Sequence, residues 1–437
     1  MTSLNTIHRV GCSVTTLSRE YTRDHVDLSV KAPGGQIEVK RWYYGEAWHF
    51  EHLRHQLSFT ERSIGTGIAS IEKGGVEYEA ATSESKLFVS DIYRIAPTDT
   101  GYRWYDPDGN WKTFDTEGRM TAWGDRVGTV GSLVYEDDRV TGILDRDGGQ
   151  VFWFSHDGDG NITAVSDSAG RQVTYTYTGG LLTQVTDPEN NDTDYTYDGS
   201  NRLVRTEDAE GHGSNVAFDK YDHVASVVDD DGEGWAFEYD VDEARDESWV
   251  RATSTSGMVK ETWFNKDGEA IRVDVNGRTV MSILKDGRDE LVTGENGRTT
   301  RKNYDQWDNL TGIVYPDGNE TSTTYNLSFG KPTRQVDENG TITLNTYDDA
   351  GNLTRKVEAS GTDNERITEY TYDDDGNLLS ITRLADDDTV QSQTVMTYDD
   401  RGNLASVTDP EGGVTQFTAH DIMGNVLEKI DARGKTW

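Results

Sequence analysis

The sequence predicts an all-β chain, a repetitive antiparallel β-hairpin array preceded by a β-rich lead-in. Three observations carry that expectation. Tyrosine, or another aromatic in its place, returns at regular intervals along most of the 437 residues. Tyr, Trp, Val and Thr are plentiful where Leu and Ile are sparse, and branched and aromatic side chains fit a pleated, half-buried surface. Glycine is abundant at 45 residues and proline scarce at 7, which suits many tight turns and few stiff linkers. Hydrophobic residues make up only 33%, so disorder is the rival reading. The steady recurrence of tyrosine and valine argues against it.

The first segment, 1–96, reads as a separate lead-in that caps the array, because the terminal units of stacked arrays need a different outer face. It holds a strand-like stretch over Gln36–Phe59 and further alternating segments around Ile68–Ile71 and Lys86–Ile95. From about Trp104 the chain is self-similar: YDDAGNL (Tyr347–Leu353), YDDDGNL (Tyr372–Leu378) and YDDRGNL (Tyr398–Leu404) are nearly identical. Weaker copies stand at Tyr197–Leu203, Phe218–Val224, Phe264–Ala270 and Tyr304–Leu310. Segment 97–437 thus divides into about 15 units, spaced roughly 19 to 26 residues apart, a period expected of stacked architectures. In the unit Thr193–Gly211, Tyr195 and Tyr197 alternate with polar residues, as in a strand with one buried face. Asp198-Gly199-Ser200-Asn201 supplies a turn, and Leu203 and Val204 begin a return strand. No hairpin of this size buries its face alone, so neighbouring units must stack.

Charge narrows the function. Subtracting 79 acidic from 42 basic side chains leaves −37, with no basic stretch. A nucleic-acid partner needs a basic face to displace counterions, and an anionic membrane surface attracts one, so neither is expected. Nothing approaches the roughly 18 apolar residues of a membrane span. The first residues show no apolar core of signal-peptide length, which predicts synthesis in the cytoplasm, with any delivery or secretion left to a dedicated system. Cys12, the single cysteine, excludes an internal disulfide.

The Y-D-x-x-G-[NR]-L cores, the D-P-E-G-G linker at Asp409–Gly413 and the period resemble the rearrangement-hotspot (Rhs), or YD-repeat, family over Trp104–Trp437. The family includes bacterial polymorphic toxins, insecticidal toxin complexes and animal teneurins. The resemblance implies a long sheet spiralling into part of a hollow shell that encloses and shields a toxin or other polypeptide cargo. The family's closing cleavage sequence does not follow Asp409–Gly412, so no autoproteolysis is carried over. The array breaks off at Asp431–Trp437 within what should become another strand, which predicts an incomplete repeat region and an exposed strand edge open to self-association or to the remaining repeat segments.

The repeat-defining positions are Tyr197, Asp198, Tyr304, Asp305, Tyr347, Asp348, Gly351, Tyr372, Asp373, Gly376, Tyr398, Asp399 and Gly402. Their aspartates are expected to start turns, because a catalytic reading would have to hold in a dozen copies at once. Asp229, Asp231 and Glu233 approximate a calcium loop, but they stand where the repeat already needs a turn. His49, His52 and His55 would split across the two faces of a strand and so make a poor zinc site. No catalytic constellation, cofactor motif or phosphate loop emerges. The reading is a non-enzymatic scaffold with no cofactor. Its alternative is a surface adhesion or protein- or carbohydrate-binding module, in which tryptophans such as Trp153 and Trp249 would form the platform. A glycan-active enzyme ranks last.

Overall fold

The computed structural model describes residues 9–10, 14–15, 18–51, 56–61, 68–74, 76–80, 87–90, 93–326, 330–385 and 387–437. These residues form 41 strands, from β1 (Arg9–Val10) to β41 (Val426–Ile430). Thirty-six of them, beginning at β6 (Leu57–Glu61), make one long antiparallel sheet in which each strand pairs with its neighbour in the chain. The described strands of the lead-in from β6 to β10 (Tyr93–Thr98), the last of which runs past its expected end at residue 96, are therefore built into the sheet. There it curls on itself, closed by a hydrogen bond from Leu57 N to Gly118 O of 2.8 Å, around a small core of Leu57, Ile71, Tyr78, Phe88, Ile95, Phe114 and Met120.

A separate three-stranded sheet, β3 (Arg23–Ala32), β4 (Gly35–Tyr44) and β5 (Ala47–Phe50), lies against one face of the long sheet. Its stripe of alternate residues, Ile37, Val39, Arg41 and Tyr43, is buried against Tyr175, Tyr195, Leu203, Val216, Phe237 and Val250 of the repeats. Alternation puts one side of a strand inward, and two such faces bury each other in a sandwich.

The long sheet is wound, so hairpin turns far apart in sequence abut. Arg146 pairs with Asp375 at 2.5 Å, and Val127 lies against Gly376. At the same seam the tip of the β3–β4 hairpin, Lys31-Ala32-Pro33-Gly34, wedges between windings. Lys31 N donates to Ile422 O at 2.9 Å, Arg401 donates to Lys31 O at 2.9 Å, and Arg146 N donates to Pro33 O at 3.3 Å. Gly34 has φ +95° and would bring a Cβ to 2.8 Å from Thr129 O, so only glycine fits this tip. At the far end the chain folds back on β41, with Trp437 N donating to Lys429 O at 2.9 Å. The edge expected to be open near Trp437 is in part paired by the chain itself, while Val426 and Leu427 stay exposed.

Candidate functional site

Each repeat turn is set by its aspartate. Asp348 Oδ2 accepts the Asn352 side-chain amide at 3.0 Å, its Oδ1 accepts the Asn352 backbone amide at 2.7 Å, and Gly351 N closes onto Asp348 O at 3.0 Å. The same arrangement recurs at Asp305–Asn309, Asp373–Asn377 and Asp399–Asn403, and Asp198 holds Arg202 in place of the asparagine. The residue three beyond the aspartate takes positive φ: +83° at Gly351, +78° at Gly376, +75° at Gly402 and +66° at Asn201. In the Asp305 turn the position is taken by Asp308 at +57°; glycine, asparagine and aspartate are the residues that tolerate this region.

The signature tyrosine crosses to the preceding unit. Tyr197 donates its hydroxyl to Leu182 O at 2.7 Å, Tyr325 to Leu310 O at 2.8 Å, Tyr347 to Pro332 O at 2.8 Å, Tyr372 to Leu353 O at 3.0 Å and Tyr398 to Leu378 O at 3.0 Å. Tyr304 instead meets Glu290 Oε2 at 3.1 Å. A bulge accompanies each: Tyr197 faces Leu203, but Thr196 faces Arg205, so Val204 has no partner. The extra residue turns Leu203 and Thr206, three apart, onto the face that carries Tyr195 and Tyr197.

These turns and phenols tie stability to pH. The Asn161 side chain, with backbone amides of the turn, holds the Asp157 carboxyl below its ordinary range. At Asp198 and Asp399 burial is the largest influence and acts upward, but hydrogen bonds from Arg202 or Asn403 and from backbone amides outweigh it. Carboxyls depressed on folding contribute stability above the unfolded value near about 4, and it is lost as pH falls through the folded one. Burial pushes the Tyr135, Tyr177 and Tyr304 phenols up to about 12. A free phenol ionises near about 10, so the stability of these neutral phenols is present below that and lost as pH rises toward the folded value. The melting temperature is therefore expected to hold between about pH 5 and pH 9 and to fall on both sides. Scanning calorimetry across pH checks this, and a flat profile into strong alkali would show that the phenols are not held neutral by the fold.

The lead-in sheet is fastened to the repeats by a buried polar clasp. Arg41 and Asp27 pair at 2.8 Å with both side chains 1% exposed. Tyr175 donates its hydroxyl to Asp27 Oδ2 at 2.8 Å, and Arg41 Nη1 donates to Tyr195 Oη at 2.9 Å. The guanidinium also lies over the Trp48 ring at 4.5 Å. Burial alone would lower the Arg41 pKa; Asp27 and the two phenols hold it above its ordinary value. Around the clasp Tyr43 Oη accepts Leu203 N at 3.0 Å, and Trp48 Nε1 donates to Tyr197 Oη at 3.1 Å.

Past the clasped arc the same face changes character. Two residues before the signature aromatic stand Tyr175, Tyr195, Val216 and Phe237 under the lead-in, all buried. The equivalent residues farther on are Lys302, Thr323, Asn345, Tyr370 and Met396, all half-exposed. The uncovered face is thus a half-exposed, largely polar lining with a ladder of hydrogen-bonded tyrosines.

The proposed calcium residues sit in a plain repeat turn: Asp229 Oδ1 accepts Asp231 N at 3.1 Å and Glu233 N at 2.9 Å. Asp208, Glu210 and His212 form another exposed acidic group with spacing open to a metal ion. His49 lies on β5 beside Tyr44 O, while His52 and His55 fall outside the described residues. Asp27 and Arg41 were not singled out from the sequence. The available signal was a charge on the buried phase of the Ile37–Tyr43 alternation.

The RHS repeat family model matches residues 156–190, 178–212, 286–320, 347–389 and 398–436. Those stretches of the chain are RHS repeats. The matched stretches contain the turns begun by Asp198, Asp305, Asp348, Asp373 and Asp399 and the ladder tyrosines except Tyr325. Similar solved structures include the Photorhabdus luminescens Tc holotoxin pore, 12% identical over 95% of this chain with a TM-score of 0.43. TcdB2-TccC3 without its hypervariable C-terminal region is 14% identical over 90%, with a TM-score of 0.48. TcdB2-TccC3-TEV is 12% identical over 100%, with a TM-score of 0.49. The chain spans 25%, 25% and 28% of those three chains. No curated protein matches its sequence. No helix among the described residues is long and apolar enough to cross a membrane.

Proposed function

We propose that this RHS array is a stretch of shell wall that encloses and shields a polypeptide cargo, a toxin in the simplest case, and acts as a non-enzymatic scaffold. The observation that carries the reading is the uncovered arc. A face that needed only to complete a core would stay apolar from repeat to repeat, as it does under the lead-in. Beyond it, Lys302, Thr323 and Asn345 replace the apolar residues while the tyrosine staples persist, so the wall keeps its strength and presents a wettable lining. Such a lining suits a second chain held in a confined space without being bound tightly. Continuous strand pairing also leaves proteases few backbone edges to grip.

The test uses cysteine labelling in a Cys12→Ser background. Thr323 lies on the lined face and Thr324 on the opposite one. Thr323→Cys and Thr324→Cys should react alike with a small maleimide. A bulky polyethylene-glycol maleimide should label Thr323→Cys at least about tenfold more slowly, because a protected site reacts only as often as it is exposed. Equal rates with the bulky reagent would end the enclosure reading.

A further inference from the structure

We propose that the tyrosine-ladder face of the later repeats is a docking surface for an acidic polypeptide segment. The proposal rests on the enclosure reading and adds the chemistry of the chain enclosed. Strand alternation sorts the charges from β26 (Val259–Phe264) to β41, because residues paired across the ladder share a face. Lys302 stands two residues before Tyr304, opposite Glu290 and Ile313. Lys356 lies between Asn345 and Thr368, and Arg383 follows beyond Thr368. Lys260 stands four residues before the signature Phe264, Lys285 faces Glu290, and Lys429 faces Phe417. Among these strands the carboxylates on this face are Glu290 and Glu358. The opposite face reverses the balance, with Glu261, Asp274, Asp289, Glu320, Glu369 and Glu428 outnumbering its arginines.

Part of this charge is already answered. Lys285 Nζ lies 2.8 Å from Glu290 Oε1, and Lys302 Nζ lies 3.9 Å from Glu290 Oε2. Lys356 Nζ lies 2.9 Å from Glu358 Oε1, with Arg366 at 3.9 Å from the same oxygen. Two glutamates shared among four bases leave a surplus of positive charge. The remaining bases add to it. Burial is the only influence on the Lys260 pKa and pulls it down, so no acid stands beside that ammonium. Arg383 and Lys429 are exposed, Arg383 acting on Glu358 from farther off and Lys429 lying 5.8 Å from the Trp437 ring centre.

A basic face inside a chain of net charge −37 selects its partner in two ways. Opposite charge favours acidic side chains against it, and threonine and tyrosine hydroxyls between the bases add hydrogen bonds. The bases stand strands apart, a spacing that a polypeptide can match by where it carries its acids. A nucleic acid cannot, since its phosphates are closely and evenly spaced and would also meet the aspartate-rich turns at both rims. Those rims repel any acidic partner at a distance. The screening length falls from about 30 Å at 0.01 M salt to about 10 Å at 0.1 M and about 3 Å at 1 M. Binding is therefore strongest at intermediate salt, where the rims are screened and direct pairs with the bases persist.

Fluorescence anisotropy of a labelled oligoglutamate peptide, titrated with the whole chain at about 0.01, 0.15 and 1 M salt, tests the surface. Saturable binding is expected, tightest at the middle value. Arg383→Gln combined with Lys429→Gln should weaken it by about fivefold, the worth of two exposed charge pairs. Arg334→Gln, an exposed arginine that faces Thr324 on the opposite side of the sheet, should leave it unchanged. All three side chains are exposed, so the variants keep the fold. No saturable binding at the middle salt, an equal loss with Arg334→Gln, or tighter binding of an oligothymidylate of the same charge overturns the proposal. Slow labelling of Thr323→Cys by the bulky maleimide together with no peptide binding would reject the acidic partner and leave the enclosure standing.

Discussion

Asp27→Ala is expected to destabilise the chain by about 3–5 kcal/mol, because it leaves the Arg41 guanidinium buried without its counter-charge. The loss should be local at first. Tyr175 loses its acceptor at the same stroke, and the lead-in sheet should detach from the repeats before the array unfolds. Urea unfolding followed by near-ultraviolet circular dichroism, with limited proteolysis of 18–51, reads both events. Asp27→Leu combined with Arg41→Met should cost far less, or even stabilise, since two apolar groups of similar size remove the need for compensation. A single Asp27→Ala variant within about 1 kcal/mol of the parent would mean that water reaches the pair and that the clasp does not fasten the lead-in.

The second large effect contrasts one repeat position in two settings. Phe237 and Met396 both stand two residues before the signature tyrosine, but Phe237 is 6% exposed beneath the lead-in while Met396 is half-exposed on the uncovered arc. Phe237→Ala should cost about 3–5 kcal/mol through lost burial and the cavity left behind. Met396→Ala should cost no more than about 1 kcal/mol, as at sites away from a packed core. Chemical denaturation of the two variants decides it. Equal costs would show that something covers the Met396 arc as thoroughly as the lead-in covers Phe237, and the lining would then not be free for a cargo.

Much of this was legible before any coordinates. The turn chemistry of Asp348-Asp349-Ala350-Gly351-Asn352 is local: a carboxylate that reaches its own backbone and a residue that tolerates positive φ define the hairpin wherever it occurs. Strand alternation likewise placed Tyr195 and Tyr197 on one face. Alternation alone does not give the inward residues of the return strand, because the bulge at Val204 changes the inward spacing from two to three. The purpose of the tyrosine hydroxyl was also hidden, since its acceptor, such as Leu182 O for Tyr197, lies a whole unit upstream.

The sequence by itself determined that this chain would be a stacked array of aspartate-started hairpins, because those interactions span only a few residues and repeat. The tertiary structure decided which repeats have a covered face, where Asp27 meets Arg41 and Tyr175, and which turns share a seam. Those outcomes join residues such as Arg146 and Asp375, or Lys31 and Arg401, that only the winding of the sheet brings together. Local chemistry fixes the shape of a unit, but the small angle between neighbouring units, summed over many strands, sets where the windings meet.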